Sequence, residues 1–172
     1  MKNLTTLNHK ILLDYNEAEI VCHSKQLEGK TIVFTNGCFD ILHKGHVEYL
    51  AQAADLGDVL IIAVNTDASV KMQNKGKERP INKESDRLAL LAALFFVDYV
   101  LLFNEDTPLE LIKKLKPNVL AKGADYNPDE TDTKSKKYIV GREDVLKNNG
   151  KVKVIDLVSG FSTTNIVNKL KS

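Results

Sequence analysis

Tryptophan is absent from this 172-residue chain, and aromatic residues make up only 6% of it. Platforms that stack nucleobases are therefore not expected. Lysine and arginine number 24 against 23 aspartates and glutamates, a formal net charge of +1. A nucleic-acid binder is markedly basic, so no nucleic-acid partner is anticipated. Two cysteines, Cys22 and Cys38, make no disulfide framework. The longest apolar run, Leu88 to Val97, is interrupted by Asp98, well short of the roughly 18 residues a membrane span needs. The first residues, MKNLTTLNHKILLDYNEAE, have neither an apolar signal core nor a small-residue cleavage site. These absences lead to the expectation of a cytoplasmic protein, off the membrane, whose partner is small.

What is present fits a single domain with one sizeable core: 43% hydrophobic and 27% charged residues are ordinary for a globular chain. From Thr31 onward, strand-like and helix-like segments alternate. The strand candidates are Thr31–Thr35, Asp58–Val64, Tyr99–Phe103, Val119–Lys122 and Lys151–Asp156. Several are short and rich in Val, Ile and Leu, which suits parallel strands covered on both faces. Helices are expected over Val47–Leu56, Ser85–Phe96, Thr107–Leu115, Lys136–Asn149 and Ser162–Leu170. In the third of these Thr107 is the expected N-cap and Pro108 the first residue. An amphipathic stretch from Leu4 to Leu27 reads as one further helix ending at Gly29. It suits either core packing or a homo-oligomer interface. Repeated β-α-β units imply an open parallel α/β sheet, in which ligands bind beyond the carboxyl ends of the strands. Functional residues should then lie in Asn36–His46, Asn65–Asp67, Lys122–Asp125 and Ser159–Thr164. The long basic loop Lys71–Asn82 is placed to cover them.

The segment Thr35–His46, TNGCFDILHKGH, follows the first strand and opens a helix. Gly37 permits a tight turn and Gly45 lets backbone approach a ligand. His43 and His46, three apart, face one side of a helix start, where free N–H groups and the dipole attract phosphate. Incidental histidines at a helix entry are the plainer reading. Cys38, Asp40, His43 and His46 also have metal-ligand chemistry, but no Cys or His downstream completes a set. Ser162, Thr163 and Thr164 suit an N-cap and, equally, phosphate oxygens at the same N–H groups. Lys122, at the end of a buried strand, suits a ligand better than a core.

His43-Lys44-Gly45-His46 is the HxGH signature of the nucleotidylyltransferase superfamily, in the group similar to cytidylyltransferases. The wider string NGCFDILHKGHVEYL resembles the adenylyltransferase domain that makes ADP-heptose from heptose 1-phosphate. Three further segments match that domain in order: Arg79-Pro80-Ile81-Asn82 with Asp86-Arg87, then Lys122-Gly123-Ala124-Asp125-Tyr126, then Ser162-Thr163-Thr164-Asn165-Ile166. The resemblance implies a Rossmann-like open parallel five-stranded sheet with helices on both faces, plus an N-terminal helix. Residues 1–28 would form the helical extension and residues 29–172 the nucleotidyltransferase domain. It implies catalytic roles for His43, His46 and Lys122. Nucleotide and phosphate would be held by Asn36, Gly37, Cys38, Phe39, Gly45, Gly123, Asp125, Ser162, Thr163 and Thr164. Asp40, Asn65 and Arg87 would bind the second substrate. ATP with Mg²⁺ and a sugar 1-phosphate are the implied ligands, the metal riding on the triphosphate rather than in a protein cage. Relatives fused to a sugar kinase are common, so a separate heptose kinase is expected to supply the substrate.

Three other readings stand beside this one. Glycerol-phosphate cytidylyltransferases share HxGH and the S-T-T segment, but carry an Arg shortly before S-T-T where this chain has Leu157-Val158-Ser159. They also usually begin with Gly-Thr-Phe-Asp, where this chain has Gly37-Cys38-Phe39-Asp40. An FMN adenylyltransferase is another member of the class. A non-catalytic nucleotide-binding module is permitted by the fold alone.

Overall fold

The structure is a computed structural model and describes residues 2–73, 78–158 and 160–171. Ser159 and the middle of the basic loop, residues 74–77, lie outside the described residues. The elements run α1 (Lys2–His9), α2 (Tyr15–Leu27), β1 (Ile32–Gly37), α3 (Lys44–Ala54), β2 (Val59–Asn65), α4 (Asp67–Met72) and α5 (Glu84–Ala92). They continue with β3 (Tyr99–Phe103), α6 (Leu109–Leu115), β4 (Val119–Gly123), α7 (Arg142–Lys147), β5 (Lys151–Ile155) and α8 (Thr163–Lys171).

The strands form one parallel sheet in the order β3-β2-β1-β4-β5. Alternation along each strand sends side chains to two cores. Ile32 and Phe34 of β1 pack with Ala18 and Cys22 of α2, Leu111 and Ile112 of α6 and Val145 of α7. Val33 points the other way, toward Leu50 and Ala53 of α3 and Leu88 and Leu91 of α5. β2 is buried along its whole length, as a strand covered on both faces must be. The edge strand β5 instead alternates exposed Lys151 and Lys153 with half-buried Val152 and Val154. The Rossmann-like five-stranded α/β sheet expected from the sequence is the architecture found. Among the described residues no helix is long and apolar enough to cross a membrane.

Four helices depart from expectation. The single N-terminal helix is two, broken at Lys10–Asp14. There the chain leaves the helix to reach the sheet: Val100 N–H donates to the Lys10 carbonyl and Leu12 N–H to the Val100 carbonyl, both at 2.8 Å. Asp14 restarts the helix by accepting the N–H groups of Asn16 and Glu17. Thr107 caps nothing in α6; Pro108 occupies the cap position, and its carbonyl accepts the Ile112 N–H. The helix expected over Lys136–Asn149 is only the short α7, because Gly141 stands before it at φ +84°. Upstream, Asn127, Asp132 and Ser135 turn the chain by accepting nearby backbone N–H groups. The helix expected over Ser85–Phe96 ends at Ala92, where Lys10 Nζ donates to the Leu94 and Val97 carbonyls just beyond. α4 was not anticipated.

Candidate active site

β1 and β4 are neighbours whose connections leave in opposite directions along the sheet, which opens a crevice beyond their carboxyl ends. A cleft of about 500 Å³ occupies it. Asn36, Gly37, Cys38 and Phe39 enter from the end of β1, and His43, Gly45 and His46 from the start of α3. Lys122, Gly123 and Asp125 come from the end of β4, and Ser162, Thr163 and Thr164 from the start of α8. The structure thus brings together all the residues anticipated for catalysis and nucleotide binding.

His43 is the N-cap of α3: its Nδ1 accepts the His46 N–H at 3.3 Å. In the neutral ring this leaves the proton on Nε2. His46 lies one turn on and stacks against His43, with centroids 3.8 Å apart and planes at 13°. Burial first, and then the neighbouring His43, push the His46 imidazole down to about 4, against an opposing backbone bond from Ile41. Burial also lowers His43. The buried Nδ1 of His46 meets no hydrogen-bond partner among the described residues. Phe39, at φ +47°, turns the chain so that its ring meets the edge of His46 at 5.3 Å. Space at Gly45 is tight: a Cβ there would lie 3.1 Å from Phe161 Cβ and 3.2 Å from the His43 ring, and both side chains would have to give by a few tenths of an ångström.

Lys122 is 5% exposed. Its Nζ donates to Asn36 Oδ1 and sits 5.3 Å from the centre of the Tyr126 ring. Burial pushes its ammonium down to about 8, partly offset by the charge of Asp125. Among the described residues no carboxylate lies within ion-pair distance of it, since no Lys122 pair occurs among the salt bridges. Ser162 Oγ accepts the Asn165 N–H at 3.0 Å, so the serine caps α8 and turns the first turn of that helix to the cleft. Lys44, the variable residue of HxGH, pairs with Glu48 at 3.2 Å and stands 5.7 Å from the centre of the Phe161 ring.

The residues anticipated for the second substrate are placed differently. Arg87 is fully buried and absent from the cleft. It donates to the Cys38 carbonyl, the Asn82 carbonyl and Asp67 Oδ1. It therefore clamps the loop after β1 and has no donor spent on the cleft. Asn65 is buried, donating to Ser69 Oγ and facing the Cys38 thiol. Asp40 accepts Arg79 and the N–H groups of Ile81 and Asn82. Their polar groups bond within the loops that frame the cleft, and Asp40 also lines a second cavity beside it. No three metal-ligating side chains converge among the described residues. Tyr49, Tyr126, Leu157 and Phe161 line the cleft without having been singled out. Tyr126 and Tyr49 fall inside the quoted motif strings, which was the available signal.

The cytidylyltransferase-like family matches residues 34–169, which contain every one of these segments. The chain belongs to the cytidylyltransferase-like family. It is accordingly a nucleotidyltransferase. Among curated proteins it is 56% identical over 143 residues to the bifunctional protein HldE of Campylobacter fetus, covering 83% of this chain and 28% of that protein. To the bifunctional protein HldE of Nitratiruptor it is 52% identical over 163 residues, covering 95% of this chain and 32% of that one. The chain thus spans about a third of the length of these relatives. The crystal structure of a lipopolysaccharide core biosynthesis protein from Thermoplasma volcanium superposes with TM-score 0.57 at 29% identity, over 76% of this chain and 98% of that one. The fold is shared with pantoate-beta-alanine ligase from Francisella tularensis, at 17% identity and TM-score 0.58, over 94% of this chain and 76% of that one.

Proposed function

We propose that this cytidylyltransferase-like domain transfers AMP from ATP to D-glycero-β-D-manno-heptose 1-phosphate. The products are ADP-heptose, for a lipopolysaccharide core or related surface glycan, and pyrophosphate. The observation that carries the transfer chemistry is the stacked His43–His46 pair facing the first turn of α8 across one cleft, with the buried Lys122 on a third side. The choice of adenine and heptose rests on the resemblance of NGCFDILHKGHVEYL and the three ordered segments after it to the domain that makes ADP-heptose.

Transfer at phosphorus needs in-line positioning and charge stabilisation more than covalent help. An oxygen of the sugar phosphate forms a bond to the α-phosphorus as the bond to the β-phosphate oxygen breaks, and pyrophosphate carries the electron pair away. His43, through Nε2–H, and His46 hold phosphate oxygens on which charge grows. The N–H groups opening α8 hold the leaving side, and Lys122 neutralises charge nearer β4. Beside the single carboxylate of Asp125, the cleft offers imidazole, ammonium, hydroxyl and amide groups, a set that suits phosphate and is too poor in carboxylates to cage a divalent cation. Mg²⁺ would therefore come with the triphosphate and supply charge neutralisation there. The sugar 1-phosphate would come from a kinase activity.

The test is pyrophosphate release with Mg²⁺ from ATP or CTP, each paired with heptose 1-phosphate or glycerol 3-phosphate, with His46→Ala as control. Release only with ATP and the heptose phosphate, abolished in the variant, is the expected result. Release with CTP and glycerol 3-phosphate would move the chain to the cytidylyltransferase reading. Nucleotide binding without release from any pair would favour a binding module.

A further inference from the structure

A second cavity, of about 460 Å³, adjoins the nucleotide cleft. The two share Cys38, Phe39, His46, Thr163 and Thr164, so His46 stands on a common wall. The second cavity adds two residues of its own, Asp40 and Arg79. The Asp40 side chain is 0% exposed and that of Arg79 13%. Asp40 takes the Arg79 Nε–H on one oxygen and the N–H groups of Ile81 and Asn82 on the other, at 2.7 and 2.9 Å. The Asp40 carbonyl also accepts from Asn82 Nδ2. These bonds fasten segment 79–82 to the loop after β1 and hold the guanidinium against the cavity. A guanidinium carries five N–H donors in a planar fork that matches phosphate, and the bond to Asp40 uses one of them. Thr163 and Thr164, at the start of α8, line both cavities.

We propose that this cavity is the acceptor subsite, in which Arg79 grips the phosphate of the sugar phosphate and Asp40 is its positioning residue. The inference rests on the nucleotidyl-transfer reading above and replaces Arg87 with Arg79 as the cation that meets the second substrate. In-line displacement requires nucleophile and leaving group on opposite sides of the α-phosphorus. With the nucleotide in the larger cleft, the α-phosphate lies at the shared wall. Pyrophosphate then departs along His43 and Ser162, which line only the nucleotide cleft. The acceptor approaches from the Arg79 side. Its phosphate is a dianion, so a lone pair attacks directly and no proton has to be removed. The orphaned Nδ1 of His46 is then next to both reacting groups.

The experiment measures pyrophosphate release by Arg79→Gln and Arg79→Lys with ATP and heptose 1-phosphate each varied, alongside equilibrium binding of heptose 1-phosphate by calorimetry. In Arg79→Gln the acceptor KM and Kd should both rise about 10- to 100-fold, the range for losing a charged hydrogen-bond partner. The ATP KM should stay within about twofold, and Arg79→Lys, which keeps the pair with Asp40, should recover part of the loss. An unchanged acceptor Kd in either variant, or ATP and acceptor constants rising together, overturns the subsite. If the wild type binds heptose 1-phosphate through Arg79 yet releases no pyrophosphate, the transfer reading fails and the anion subsite stands.

Discussion

His43 accepts the backbone N–H of His46 through Nδ1 at 3.3 Å while the two rings stack 3.8 Å apart. One side chain therefore both starts a helix and presents a proton to the cleft. The two duties separate by substitution. Asn is a good N-cap and Ala is not, so His43→Ala should cost about 1 kcal/mol and about 2–4 °C in Tm. His43→Asn should keep nearly all of that stability. Both should lower kcat by about 10²–10³, as for loss of an oxyanion-type donor. Melting curves beside pyrophosphate release check this; a His43→Asn variant with near wild-type kcat would remove the catalytic role.

His46 titrates at about 4 in the fold against 6.5 unfolded. Below pH 6.5 the unfolded chain binds the additional proton, so stability from the neutral ring is present above 6.5 and is lost as pH falls toward 4. His46→Gln lacks this dependence, and its Tm should fall less than that of the wild type between pH 7 and pH 4. A triphosphate beside the imidazoles favours their protonated form. Nucleotide binding at pH 7 should then take up protons, read as a buffer-dependent binding enthalpy. Release of protons would contradict the placement of phosphate at this pair.

Lys122 has the reverse consequence at high pH. With its ammonium lowered from 10.5 to about 8, the buried charge destabilises the fold fully below pH 8. The penalty is relieved as pH rises from 8 toward 10.5. Lys122→Met should therefore be as stable as the wild type or more so at pH 7, by up to about 3 kcal/mol, with the gap closing near pH 10. Its turnover should be lost. A variant that unfolds at pH 7 would mean that the Asn36 and Tyr126 contacts outweigh the desolvation.

Arg87 should behave as a structural residue. Arg87→Gln leaves the Cys38 and Asn82 carbonyls and Asp67 without their donor. A loss of about 2–4 kcal/mol follows from the unmet buried groups, lowered because Asp67 is 32% exposed. Urea unfolding measures it. A variant with unchanged stability and a raised acceptor KM would return Arg87 to the substrate.

β1 to β4 were legible because buried parallel strands read as short apolar runs, and β5 because Lys and Val alternate along it. The cleft was legible because its residues follow those strands directly. The break between α1 and α2 had a sign, Asp14 followed by Glu17 as in a capping box; Glu17 does reach back, to the Leu13 N–H. It was masked by amphipathic spacing that continues across the break. α4 buries only Ser69 and Val70, too little for a periodic signal. Asp40, Asn65 and Arg87 were correctly placed beside the functional loops. Their partners are mostly backbone and side-chain groups of those same loops, and a one-dimensional pattern carries no information about which way a polar group turns.

The two rims of the sheet bear on how the protein behaves when crowded. An unpaired strand edge is a template for another chain's backbone. At β3 that position is taken by Lys10–Leu12. Among the described residues no strand pairs with the outer rim of β5, but Lys151 and Lys153 are exposed along it, so a second copy arriving edge to edge would bring ammonium groups together. Replacing both lysines with threonine would leave the cleft intact and remove that repulsion. Light scattering at rising concentration should then show growth of high-mass species that the parent chain resists, most clearly at low ionic strength where its charges are least screened.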